Sequence, residues 1–211
     1  MARSINNLYV QYGCGWCAPD GWVNYDASPT LRFERIPVIG HFYTKNASRF
    51  PKNVRYGDIV KGLPIEPNSC RGIYCSHILE HLALDDCERA LSNTFRYLQQ
   101  GGSFRLVVPD LEQLVNEYLL KHSSEAAHEF MENACLGRKQ RARGLWGNLK
   151  DWLGNSSHLW MWDERSMKSK LNEYGFTAIR RCSFGDAKDR QFSEVEEKNR
   201  FDKCLAMECH K

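Results

Sequence analysis

Tyr12-Gly13-Cys14-Gly15-Trp16-Cys17, reaching on to Asp26, offers three kinds of chemistry by residue type. Cys14 and Cys17 have the spacing of a redox dithiol or of half a zinc site. Gly13 and Gly15 suit a turn that brings bare backbone N–H and C=O groups against a ligand, which a Cβ would obstruct. A second stretch, His77-Ile78-Leu79-Glu80-His81, matches the inverted zinc-peptidase motif, because positions i, i+3 and i+4 share one face of a helix. A third, His158-Leu159-Trp160-Met161-Trp162-Asp163, sets a histidine and two indoles just before a helix cap. With Asp110, the histidines His77, His81 and His158 are the candidate general bases.

The elements that must position these groups alternate. Five short strand-like runs, "LYVQYG", "WVNYD", "VRYGDIV", "RGIYCS" and "SFRLVVPD", each close on a polar, Gly or Pro residue. Cys87, Leu91, Phe95 and Leu98 recur at helical spacing, and Gly101-Gly102 is the expected stop of that helix. His81 is expected at its start. A second helix is predicted after Asp163, carrying Met167, Leu171 and Tyr174, with "TAIRRCSF" and "FDKCLAMEC" following as a hairpin. This pattern predicts an α/β chain: a Rossmann-like, doubly wound, mostly parallel sheet with a C-terminal antiparallel hairpin. All of 1–211 is expected to form one domain, with a mostly helical insertion at about 111–160 on the acceptor side.

Ligands of such sheets bind beyond the carboxyl ends of the strands. Those ends hold Gly13-Cys14-Gly15, Asp26-Ala27, Asp58-Ile59, Ser76-His77 and Pro109-Asp110. Asp26 can accept both hydroxyls of a ribose. Asp58 can accept from an adenine amine, with Ile59, Leu63 and Pro64 to sandwich the ring. The set describes an adenosine site. Gly13-x-Gly15-x-x-Ala18 also fits a dinucleotide fingerprint, but only ten residues, broken by Pro19-Asp20-Gly21, separate Tyr12 from Val23. A crossover with a pyrophosphate-binding helix needs a dozen or more.

From Leu8 to Tyr118, and above all in "SHILEHL" followed by a helix and "GG", the sequence resembles the class I S-adenosylmethionine-dependent methyltransferases. It is most similar to small bacterial enzymes of the methyltransferase type 11 kind, often linked to glycan or natural-product pathways. The resemblance implies S-adenosyl-L-methionine as cofactor. Tyr12 and the Gly13-Cys14-Gly15 backbone would meet its methionine portion, Asp26 and Ala27 the ribose, Asp58 and Ile59 the adenine. Ser76 and His77 would form the floor beneath the sulfonium. His81 and His158 are the favoured bases for a hydroxyl acceptor on a small molecule or glycan, and Trp160 and Trp162 are expected to cover the transferring methyl.

Three other readings stand beside this one. Some methyltransferases of small-RNA ribose hydroxyls hold a divalent metal on Glu and His at matching positions, which makes a metal-dependent RNA ribose methyltransferase one alternative. A non-catalytic S-adenosylmethionine-binding protein and a zinc peptidase of the HxxEH type are the others. The favoured reading assigns no metal. A net charge of +3 does not by itself favour nucleic acid, although the basic run Arg138 to Arg143, followed by Trp146 and Trp152, would suit RNA or an anionic acceptor. Nine cysteines scattered through apparent core elements suit reduced thiols and a cytoplasmic location. Neither a signal peptide nor a membrane span is expected.

Overall fold

A computed structural model describes residues 7–38, 40, 48–137 and 157–211. The basic run and the indoles Trp146 and Trp152 lie outside the described residues. Seven strands form one sheet: β1 (Leu8–Tyr12), β2 (Val23–Asp26), β3 (Val54–Tyr56), β4 (Cys70–Ser76), β5 (Leu98–Pro109), β6 (Thr177–Arg181) and β7 (Cys204–His210). Their order is β3-β2-β1-β4-β5-β7-β6. The first five run parallel, and β7 lies antiparallel between β5 and β6. Five helices of the described residues are α1 (Pro29–Glu34), α2 (Leu84–Tyr97), α3 (Leu111–Leu120), α4 (Ala126–Asn133) and α5 (Glu164–Glu173). No helix among the described residues is long and apolar enough to cross a membrane.

Period-2 alternation sorts the strand residues onto two differently covered faces. On one face Val10, Tyr12, Ile73, Cys75, Phe104, Leu106 and Met207 pack against the apolar stripes of α2 (Cys87, Ala90, Leu91) and α5 (Met167, Leu171). Asp163 caps α5 through a reciprocal capping box with Ser166. On the other face, the ten residues between β1 and β2 contain no helix. That face is buried instead by the long link between β6 and β7. Phe192 and Val195 from this link pack with Trp22 on Tyr74, Val107 and Ala206. The C-terminal pair is therefore antiparallel as expected, but its two strands are joined by residues 182–203, with 3-10 turns at Arg190–Glu194 and Lys198–Arg200, and not by a tight hairpin.

The link is tied down by a buried cation. Arg105 on β5 is 1% exposed. Its Nε donates to Glu196 Oε1 at 2.8 Å, and its Nη1 donates to Glu208 Oε2 at 2.6 Å and to Asp186 Oδ1 at 3.1 Å. Glu196 and Asp186 belong to the link, and Glu208 to β7.

Two expectations about α2 are corrected. The helix ends at Tyr97, ahead of Gly101-Gly102, because Leu98 is already paired with Cys70 in the sheet. The glycines instead lie in a bulge of β5, where Gly101 takes φ +72° and the register jumps between Cys70 and Gly72. His81 lies in a separate 3-10 turn, Leu79–His81, and not at the start of α2.

Replacing Arg105 with Ala leaves Glu196 and Glu208 buried without their cation, which should cost about 3–5 kcal/mol of unfolding free energy. Urea titration checks this, and a loss below about 1 kcal/mol would contradict it. Asp186 gives a second test. Partial burial works against its charge, but hydrogen bonds from Arg180, the Ser183 amide and Arg105 hold its carboxyl down, to about 2. Its contribution to stability is complete above the ordinary carboxylate value of about 4 and is lost as pH falls toward 2. Asp186→Asn should flatten that part of the acid-unfolding curve.

Candidate active site

The carboxyl ends of β1, β2 and β3 open into a cleft of about 310 Å³. Tyr12, Gly13, Asp26, Ala27, Asp58, Ile59, Ile78 and His81 are among its lining residues. This volume lies at the lower end of the range for small-molecule sites. The parallel strands put these residues together because each lies at, or just past, the end of its own strand.

Asp26 organises one wall. Its Oδ2 accepts from the Gly15 amide at 2.9 Å and its Oδ1 from the Ser28 amide at 2.7 Å. Each carboxylate oxygen keeps a further lone-pair direction for a hydroxyl donor in the cleft. Gly13 and Gly15 take φ +71° and +54°, the left-handed conformation that folds the loop back so that the Cys14 amide meets Tyr25 O at 3.1 Å. A Cβ on Gly13 would run into Ile78, whereas one on Gly15 would meet open space. Asp58 Oδ1 accepts from the Val60 amide at 3.0 Å, which closes a turn that leaves Ile59 at the cleft. Leu63 is buried, its amide bonded to Tyr97, and Pro64 is exposed. Neither lines the cleft with Ile59, which corrects the expected adenine sandwich.

Four other expected residues do not line this cleft directly. Cys14 and Ser76 line an adjoining recess of about 10 Å³, the size of a water, which shares Tyr12 and Gly13 with the cleft and also touches Tyr74, Glu197 and Arg200. Gly15 reaches the cleft only through its bond to Asp26. His77 turns away at φ +55°, with Nδ1 3.2 Å from Glu80 Oε1 and Nε2 3.1 Å from the carbonyl of Arg200. Burial opposes its charge, yet the contacts to Cys204, Glu80 and Arg200 push it up to about 10. It does not line the cleft. The cleft positions after β4 are Ile78, His81 and Leu82.

The inverted-peptidase motif is not formed on a helix face: His77 is outside any helix, and the group that comes together among the described residues is Glu80, His81 and His158. His81 meets His158 instead, with ring centroids 4.9 Å apart and an interplanar angle of 70°. The loop carrying His158 is anchored where the Leu159 and Trp160 amides donate to Glu80 O, at 2.7 and 3.1 Å. Burial lowers the His158 pKa, the nearby Glu80 opposing. Trp162 is core, 2% exposed, whereas Trp160 is 43% exposed. The expected pair of covering indoles is thus split, and neither lines the cleft. Asp110 is a structural acid, capping α3 and bonded to Arg181 Nη2 at 2.7 Å.

All nine cysteines are free. Burial pushes the Cys14 thiol up to about 12, and burial raises Cys17 as well, so neither is a poised thiolate. Among the described residues no cysteine joins a metal-ligating group. Sequence reasoning missed Ile78 and Leu82, which lie inside "SHILEHL" but are apolar and carry no chemistry by type, and Arg200, which belongs to no motif and comes from the distant β6–β7 link.

A parallel five-strand array with an antiparallel β7 inserted beside β5, and a cleft over the ends of β1 to β3, is the class I methyltransferase fold. The profile of the family described as a methyltransferase domain matches residues 12–106. Among solved structures, an S-adenosylmethionine-dependent methyltransferase from Archaeoglobus fulgidus is 13% identical at TM-score 0.53, over 98% of this chain and 86% of its own. One from Thermotoga maritima is 15% identical at 0.51, over 98% and 83%. PigF with S-adenosylhomocysteine is 15% identical at 0.51, over 100% of this chain and 52% of its own. At these identities the likeness is one of fold. No curated protein matches the sequence. The domain match over residues 12–106 and the likeness in fold both point to the class I S-adenosylmethionine-dependent methyltransferases.

The glycine loop yields a test. Gly15→Ala should cost about 1 kcal/mol for its positive φ. Gly13→Ala should add about 1–3 kcal/mol of overpacking against Ile78. Parallel urea unfolding separates them, and equal losses would contradict the close approach of Gly13 to Ile78.

Proposed function

We propose that the cleft binds S-adenosylmethionine, and that its methyl group passes to a hydroxyl of a small-molecule or sugar acceptor arriving from the His81 and His158 end. The observation that supports this is the convergence of Gly13, Asp26, Asp58 and Ile59, from three consecutive strand ends, on one cleft. Asp26 would accept the ribose hydroxyls, Asp58 the adenine amine, and Ile59 would lie against the ring. The backbone at Gly13 would lie beside the methionine portion.

The transfer is an in-line displacement. The acceptor oxygen forms its bond to the methyl carbon as the S–CH₃ bond breaks, and the electron pair goes to sulfur, giving S-adenosylhomocysteine. The sulfonium already activates the methyl, so the residues of the site have to align the reactants, exclude water and receive the hydroxyl proton. His81 and His158 supply the receiving group. Nδ1 of His81 lies 3.2 Å from Ser157 O, and Nδ1 of His158 lies 2.7 Å from Ala134 O. A carbonyl can only accept, so each Nδ1 donates and Nε2 of the neutral ring carries the lone pair.

Calorimetric titration with S-adenosylhomocysteine tests the cofactor half. Asp26→Asn and Asp58→Ala should each weaken binding by roughly 10–100-fold, about 1.5–3 kcal/mol, the range for hydrogen bonds to charged groups. Unchanged affinity in both variants would remove the adenosine site. A methyl-labelled donor offered with a panel of sugars and small alcohols tests the acceptor half, and label found only on amines or carbon would contradict a hydroxyl acceptor.

A further inference from the structure

One buried carboxylate near the acceptor end is only half used. Glu80 is fully buried, and its Oε1 lies 3.2 Å from His77, but its Oε2 has no hydrogen-bond partner. An orphaned, desolvated carboxylate oxygen is costly, and a native structure keeps one where something else satisfies it. A carboxylate oxygen of Glu80 and one ring nitrogen each from His81 and His158 all lie within 4.8 Å of one another.

The orientation of the two rings is what makes this more than proximity. Both imidazoles donate Nδ1–H to backbone carbonyls, Ser157 O and Ala134 O. A metal-ligating histidine is held in this way, with one nitrogen donating to a carbonyl so that the other presents its lone pair. With Nδ1 of each ring committed to a carbonyl and Oε1 of Glu80 to His77, the other ring nitrogens and the unpartnered Glu80 oxygen are the atoms left to take a ligand. Side-chain movement of less than about 1 Å brings such a set to the ~2.0–2.2 Å bonds that zinc makes to nitrogen and oxygen.

We propose that Glu80, His81 and His158 form a binding site for one divalent transition metal of the zinc, cobalt or manganese class. Three protein ligands leave a coordination position open to water or to an acceptor oxygen. A metal there would make the acceptor hydroxyl more acidic, so the two histidines would act as its ligands and not as free bases. This consequence rests on the function proposed above, but the binding itself does not. The three ligands come from the turn after β4 and from the segment leading into α5, so the ion would also fasten the two together.

The test loads the metal-stripped full-length chain with Co²⁺, removes excess by gel filtration, and measures cobalt content and visible absorption. The expected result is one cobalt per chain, with d–d bands but no intense thiolate charge-transfer band. His81→Ala, His158→Ala and Glu80→Gln should each lower cobalt affinity by about 100-fold or more, while His128→Ala on the exposed surface leaves it unchanged. Melting curves identify any variant that fails to fold, and the wild-type stoichiometry and spectrum decide independently of the variants. Wild-type chain that retains no cobalt, a thiolate spectrum, or retention unaltered in both histidine variants overturns the site. Titration of the same samples with S-adenosylhomocysteine keeps the two proposals apart. Cofactor binding without metal defeats the metal site alone, and metal binding without cofactor defeats the adenosine cleft alone.

Discussion

Arg105 is the fixed point on which one face of the sheet depends. A guanidinium in the middle of β5 is tolerable in the interior only if its donors are met, and here Glu196, Glu208, Asp186 and the Ser183 carbonyl meet them. The need for such a clamp follows from the short β1–β2 connection. With no helix after β1, the face carrying Tyr74, Val107 and Ala206 would lie open, and residues 182–203 cover it with few regular backbone bonds of their own. Phe192 and Val195 supply the apolar contact, and the charge network fixes where the link sits. Such a set of bonds specifies a conformation more than it adds net stability, because removing one partner costs far more than the intact group contributes.

The same economy of helices shapes the cleft. Its glycine loop is not held by a helix that follows it. It is held by Asp26, whose carboxylate takes the Gly15 and Ser28 amides, and by Ile78, which lies against Gly13. A residue expected to contact the ligand thus also shapes the backbone around it, so loss of its charge alters both binding and loop geometry. At the other end, the loop bearing His158 is fastened to the Glu80 carbonyl. His81 and His158 are therefore brought together by bonds across the fold.

Much of the fold was legible in the sequence, and the illegible parts share a cause. Strands such as Leu8–Tyr12 and Cys70–Ser76 announce themselves by alternation, and α5 by Asp163, a periodic stripe and Gly175. Tyr12, Gly13, Asp26, Ala27, Asp58 and Ile59 could be named as cleft residues because each lies at or just beyond a strand end. Local rules failed where long-range pairing decided. Gly101-Gly102 looked like a helix stop, but Leu98 gains more by pairing with Cys70 than by extending the helix. His77 fitted a helical motif, yet at φ +55° it turns toward Arg200, a residue on the far link. Trp162 and Trp160 look alike in sequence, and only the packing of β5, α2 and α5 makes one core and the other surface. The meeting of His81 with His158 had no local signature at all.

A crystal structure of the chain with S-adenosylhomocysteine would place the ligand against these residues. The ribose hydroxyls should lie within hydrogen-bond distance of Asp26, about 2.5–3.0 Å. The adenine should lie against Ile59 with its amine toward Asp58, and the sulfur should face His81. Density for the ligand outside this cleft, or a saturated crystal with the cleft empty, would contradict the assignment of an adenosine site to the ends of β1, β2 and β3.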